Sequence, residues 1–327
     1  MKRLLIFKSL LIVLLIINIS LAKDDHPIWV SILRADGVLV PFSLYENDKW
    51  TTPWPEAQEK SEYKLKSLDD IPNAWLGKSH AVPKTWFVSP LSGKESEIVV
   101  SKPVLYSTHC EKNWGLASNY PQQHTEYSPY PKIGMALDVK NIVTPMIKVS
   151  QAPSEKKDLL AFITSEFIKL EREAVARLVI EEGVSSNRLK YKGHPTSDQE
   201  RNEVNVSLMT LYRSTSIVSN QLIYYFEVQR EYSKPKTFND SACPGISFFK
   251  GFLKKEKGKL TFLDKDLVIT DCDWKLATSI LPFGIIKAGS TNFIVTQENY
   301  YESESYQLLE LGSSDLRKVI SLNGGGC

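Results

Sequence analysis

From residue 203 onward the chain is a succession of short runs of β-branched and aromatic residues, and this constrains its fold more than anything else in the sequence. Val204, Val206 and Leu208 alternate with polar residues, and Leu222 to Tyr232, Ile246 to Leu253, Leu260 to Ile269, Phe283 to Ile286, Phe293 to Thr296, Tyr306 to Leu311 and Leu316 to Ile320 follow. Short turns carrying glycine or charge separate the runs, the pattern of an antiparallel meander. The segment Phe226-x-Val228-Gln229-x-x-Tyr232 resembles Phe293-x-Val295-x-Gln297-x-x-Tyr300 with one residue inserted, and each is followed by strand, turn, strand and a cysteine. Repeated units of this size suit propeller blades.

One segment breaks the β pattern. Apolar residues at 160, 163, 167, 170, 174 and 178 form a single stripe, while Lys169, Glu173, Arg177 and Glu181 alternate in sign at four-residue steps on the other side. That is an amphipathic helix with a solvated face. Ser154 is placed to cap it and Gly183 to end it. A helix of that length fits an uninterrupted propeller poorly. The expected fold is therefore mainly β, with antiparallel meander sheets forming a degenerate propeller or a β-sandwich, and one long amphipathic helix at about 154–182.

Ahead of the helix, two β-rich runs, Ile28 to Leu33 and Val38 to Phe42, flank Asp36-Gly37, a strong hairpin signal. Pro41 cannot donate to a ladder, which points to an edge strand. A second hairpin is expected between Trp86 to Val88 and Ile98 to Val100, around Gly93. Segments 50–90 and 117–132 are rich in Pro, Trp and Tyr and read as ordered loops, because tryptophans are costly to leave exposed. Residues 184–202 read as a mobile polar loop. The organisation expected is 1–22 a signal peptide, 23–150 an aromatic-rich β part, 151–202 helix and loop, and 203–327 an antiparallel β part forming one compact unit with 23–150.

Lys2, Arg3 and Lys8 precede the apolar run Leu10 to Ile17, and Ser20-Leu21-Ala22 offers small residues to a signal peptidase. This predicts cleavage before Lys23 and a periplasmic or secreted protein. A bilayer-spanning helix wants about 20 consecutive apolar residues, and Lys8 interrupts the run, so no transmembrane anchor is expected after cleavage. Removing three basic residues and no acidic one turns the net charge of +2 to −1. Without a basic excess, nucleic acid is not an expected partner.

In an oxidising compartment the even set Cys110, Cys243, Cys272 and Cys327 predicts two disulfides. Cys272 with Cys327 is the preferred pairing, since each ends a repeat-like unit and Gly324-Gly325-Gly326 lends reach; Cys110 with Cys243 follows by elimination. Their spacings match no zinc pattern. Catalysis by Cys110 with His109 is disfavoured, because neighbours on a strand face opposite ways.

Six of seven tryptophans, at positions 29, 50, 54, 75, 86 and 114, lie in the first third of the mature chain. In an exported protein this suggests a platform for a glycan, peptide or envelope partner, with Trp50, Trp54 and Trp75 as binding candidates; core packing of the same residues is the competing reading. The catalytic candidates are Asp271, Asp273, Glu302 and Glu304, since carboxylates two apart on a strand lie at separations that glycosidases use. A calcium role for Asp264, Asp266, Asp271 and Asp273 lacks the turn glycine and closing glutamate of an EF-hand loop. There is no Gly-x-Ser-x-Gly elbow, His-Glu-x-x-His, phosphate loop or dinucleotide fingerprint. No metal or cofactor is called for. The sequence therefore favours a non-enzymatic binding module, with a hydrolase using paired carboxylates as the alternative. Asn205-Val206-Ser207 and Asn239-Asp240-Ser241 are glycosylation sequons, relevant in a host that uses them.

Overall fold

The computed structural model describes residues 27–58, 62–79, 81–122, 132–150, 153–184, 188–189, 194–215, 218–232, 244–271 and 276–327. The expected leader lies outside them, as do Cys243, Cys272 and Asp273.

The first half closes into a barrel. Strands β1 (Ile28–Arg34), β2 (Val38–Glu46), β3 (Lys49–Thr51), β4 (Thr85–Pro90), β5 (Ser96–Thr108), β6 (Glu111–Ser118) and β7 (Lys132–Leu137) run in the spatial order β1-β7-β4-β5-β6-β2-β3, and a β1–β2 pairing completes the ring. Both expected hairpins form: Leu33 faces Leu39 across the Asp36-Gly37 turn, and Trp86 faces Ile98. Alternation sends Trp29, Leu33, Trp86, Val88, Ile98, Val100, Trp114 and Leu116 into the ring. Trp54, Ile71, Trp75 and Leu76, from the loop after β3, join the same interior cluster, and the Trp54 indole donates to the Trp114 carbonyl at 2.8 Å.

Pro41 does not mark an edge. Strand β2 is interior to the ring, pairing β1 on one side and β6 and β3 on the other. The β6 pairing covers Val38 and Leu39, and the β3 pairing covers Leu44 to Glu46. Pro41 falls in the gap between them, opposite Ser31 beside a bulge, where its missing N–H costs no ladder bond.

The second half is an open nine-stranded antiparallel sheet. Strands β8 (Val143–Lys148), β9 (Ser207–Ser214), β10 (Leu222–Tyr232), β11 (Gly245–Glu256), β12 (Lys259–Asp271), β13 (Ser279–Ala288), β14 (Thr291–Asn299), β15 (Ser303–Leu311) and β16 (Leu316–Gly326) are ordered β12-β11-β10-β9-β8-β13-β14-β15-β16. It curls into a half-barrel, so side chains of β10 and β11 touch those of β13 and β14 across its inner face. The antiparallel, mainly β reading with one long helix holds. The sheets close as a barrel and half-barrel, because β8, contributed from before the helix, bridges β9 and β13 and merges the two meanders into one curved sheet.

The outer face of the half-barrel is covered twice. Helix α1 (Pro153–Glu182) lays Leu159, Ile163 and Phe167 on Tyr224, Phe226, Val228 and Phe249. The barrel's outer face lays Val30, Ile32, Val40 and Phe42 on Phe283, Phe293, Val295 and Leu308. Gly183, at φ +59°, ends α1 in a left-handed conformation that few other residues adopt cheaply.

Two further expectations change. The segment after α1 is anchored where it is described: Leu189, His194 and Arg201 are buried, and a short helix α2 (Asp198–Asn202) forms. Cys110 bonds to Cys327, with Cα atoms 5.0 Å apart, not to Cys243. The same bond takes up Cys327 and so excludes the preferred Cys272–Cys327 pairing. Nor are the terminal glycines a loose tether. They belong to β16, and a side chain at Gly325, where φ is +126°, would strike Thr108 on the barrel.

Candidate functional site: a carboxylate cleft on the inner face of the half-barrel

The inner face carries Ile223, Tyr225 and Glu227 from β10, whose side chains alternate to the same side. Opposite partners on β11 are Phe252 for Tyr225 and Lys250 for Glu227. Apolar residues fill one end of this face, with Met146, Ile223, Tyr225, Phe252, Ile285, Ile294 and Leu309 in one cluster. At the other end the same stripes turn polar, and a cleft of about 250 Å³ opens. Met209, Glu227, Phe248, Asn299, Tyr300 and Tyr301 line it. Three of these are unusually exposed apolar or aromatic side chains: Met209 at 48 %, Tyr300 at 43 % and Tyr301 at 57 %.

Glu227 lines the cleft, and Glu298, paired with the Lys250 that lies opposite Glu227, sits in a different electrostatic setting. Glu227 Oε1 accepts from the Tyr225 hydroxyl at 2.6 Å and the Ile280 amide at 3.2 Å. Its other oxygen takes no hydrogen bond from any described residue. Burial pushes the Glu227 carboxyl above the usual range, and the two donors and the charges of Lys250 and Lys148 offset this only in part. On Glu298, burial acts in the same direction but is outweighed. The Tyr300 hydroxyl donates to its Oε2 at 2.6 Å, the Gln307 amide donates to the same oxygen, and the Lys250 ammonium lies 3.4 Å from Oε1, where the Thr278 hydroxyl donates at 3.2 Å. Glu298 therefore sits below the ordinary carboxylate range. The Tyr300 phenol is pushed up to about 12, by burial and then by its bond to Glu298. Lys250 also donates to Thr278, so its charge is committed within the network.

The residues singled out in the sequence lie elsewhere. Trp54 and Trp75 are 2 % and 7 % exposed inside the barrel; they form no surface shelf, because the loop bearing them folds inward as core. Trp50 is half-buried against Tyr45 and Phe293, at ring separations of 5.1 and 5.4 Å, and lines a groove of about 700 Å³ where the barrel meets the β13–β14 turn. Glu304 is 2 % exposed and held by the Lys132 ammonium at 2.8 Å and the Tyr306 hydroxyl at 2.6 Å. Glu302 is exposed, so the two do not share a cleft. Asp271 ends β12 opposite Gly245. Among the described residues no group of histidine, cysteine, aspartate and glutamate is placed to hold a metal ion.

A serine–histidine pair that the sequence does not advertise lies beneath α1. His194 Nε2 is 2.8 Å from Ser247 Oγ, and Nδ1 is 3.1 Å from the Pro195 carbonyl. A carbonyl only accepts, so Nδ1 carries the proton and Nε2 accepts from the serine. Burial lowers the His194 pKa to about 3, which keeps the ring neutral. This is the orientation of an activated nucleophile. Yet both residues are fully buried, beside Glu171, which is bound by Arg230 at 2.7 Å and by Tyr232. With no access for a substrate, the pair acts as an internal brace.

Glu227 and Glu298 are legible only after folding, because 71 residues separate them and neither sits in a recognisable motif. A glutamate on the apolar stripe of β10 is the one local hint. Compared with protein-family models, curated proteins and solved structures, the chain matches none.

Proposed function

We propose that the protein is an exported, non-enzymatic binding module that holds a short glycan in the inner-face cleft. The observation carrying this reading is the pairing of exposed rings, Tyr300 and Tyr301, with polar lining from Ser279, Asn299 and Glu227. A sugar presents apolar C–H faces to rings and hydroxyls to such a lining. Export is supported by the leader-like start and by the Cys110–Cys327 bridge, which suits an oxidising compartment. No helix among the described residues is long and apolar enough to cross a membrane. An array of glycans and peptides, probed with wild type and Tyr301→Ala, tests the proposal. Glycan signals that fall at least about tenfold in the variant support it. Signals on peptides alone, or equal signals from both proteins, refute it.

The opposed pKa directions of Glu227 and Glu298 favour a second reading, a hydrolase with Glu227 as the acid. Both Glu298 oxygens are already engaged by donors, which suits a fixed counter-charge better than a nucleophile or base, so binding is preferred. Release of reducing ends from oligosaccharides by wild type, abolished in Glu227→Gln, would reverse that preference.

A further inference from the structure

We propose that the cleft ligand carries a positive charge, and that the glycan suited to this site is one bearing free ammonium groups. The inference rests on the binding reading above and supplies the chemical class. It follows from what the cleft presents and what it omits. Tyr300 and Tyr301 bring two exposed aromatic rings to one small opening, over the buried Phe248 in its wall, and aromatic rings attract cations, ammonium ions in particular. Glu227 lines the same space, and both donors that reach it among the described residues go to one of its oxygens, Oε1. No lysine or arginine lines the cleft among the described residues.

Among the described residues the nearby cations are otherwise engaged or remote. Lys250 is bound to Glu298 and Thr278 from the strand beside Glu227, and Lys148 is exposed to solvent at the end of β8. Glu227 is thus a half-buried acid that forms no ion pair with a cation among the described residues. A ligand ammonium seated between the rings and Glu227 would provide that cation and donate a further hydrogen bond, a charge-assisted contact stronger than a neutral one. A neutral sugar hydroxyl can donate the hydrogen bond but cannot offset the charge. An anionic sugar would meet the like charge of Glu227.

Calorimetric titration of the full mature protein with two matched pairs of probes tests this. The first pair is chitotetraose in fully deacetylated and fully acetylated forms, at a pH where the free amines are protonated. The second is benzyltrimethylammonium, whose charge does not titrate, against benzyl alcohol. The charged member of each pair should bind at least about tenfold more tightly. Glu227→Gln should bring each ratio near one, and Tyr301→Ala should weaken the charged member. Circular dichroism of each variant checks that the fold is retained. Equal binding of the two tetraoses overturns the inference while leaving the glycan reading intact. Glu227-dependent binding of benzyltrimethylammonium with no binding of either tetraose retains the cation site and overturns the glycan reading. Failure of all four probes overturns both, and a charge preference that survives Glu227→Gln overturns the assignment to this carboxylate.

Discussion

Glu227, half-buried, and Glu304, fully buried, have opposite consequences. Glu227 has a folded-state pKa above its unfolded value. Its contribution to stability is therefore complete below the ordinary carboxylate range and is lost as pH rises through the folded-state pKa. Glu227→Gln removes the cost of ionising it in place, so the variant should melt above wild type at neutral pH, and the gap should close toward about pH 4. Melting temperatures across that range check the sign. Glu304 is instead matched by Lys132, whose side chain is 3 % exposed. Lys132→Met would leave a buried carboxylate without its cation and should cost about 3–5 kcal/mol, read from urea unfolding. Adding Glu304→Gln to the same chain should recover much of that loss.

At the level of elements, the sequence shows the strands and helix clearly but not how they are used. The charged face of α1 is as expected, since Lys169, Glu173, Arg177 and Glu181 are all exposed. The buried face is rotated toward Leu159, Ile163, Phe167 and Ala174, with Leu170 half-buried. A buried Glu171 sits in that face, which periodicity cannot anticipate because its partners Arg230 and Tyr232 come from β10. Phe167→Ala should therefore cost about 3–5 kcal/mol, and a change at Leu170 less; urea midpoints compare them. The faint repeat has a structural counterpart, since Phe226 and Val228 pack outward under α1 while Phe293 and Val295 pack outward on the barrel. The closure into barrel and half-barrel was hidden, because alternation reports which face a residue takes and not which strand lies beside it. Gly245 and Asp271 pair at the end of the β11–β12 ladder, and in the sequence Cys243 precedes the first by two residues and Cys272 follows the second. Non-reducing peptide mapping should find Cys243 joined to Cys272 as a second bridge.

For the whole molecule, the barrel and half-barrel share an apolar interface and one covalent tie. Cys110 lies in the β5–β6 turn, and its amide reaches the Gly326 carbonyl at 3.3 Å. The bridge spans 217 residues of sequence, so on the chain-entropy account it restricts the unfolded state strongly. Replacing both cysteines with serine should lower stability by about 2–5 kcal/mol without dismantling either sheet, which chemical denaturation and circular dichroism would show together. Under the proposed export, the bridge would also set an order of events during secretion. Exported N-terminal end first, the chain would bring Cys110 into the oxidising compartment long before its partner, with Cys243 and Cys272 arriving in the interval. Any oxidant that joins thiols in order of appearance would trap Cys110 with the wrong one. The native link then depends on reshuffling by thiol exchange, so yield in a heterologous host should follow the supply of disulfide isomerase more closely than the supply of oxidase.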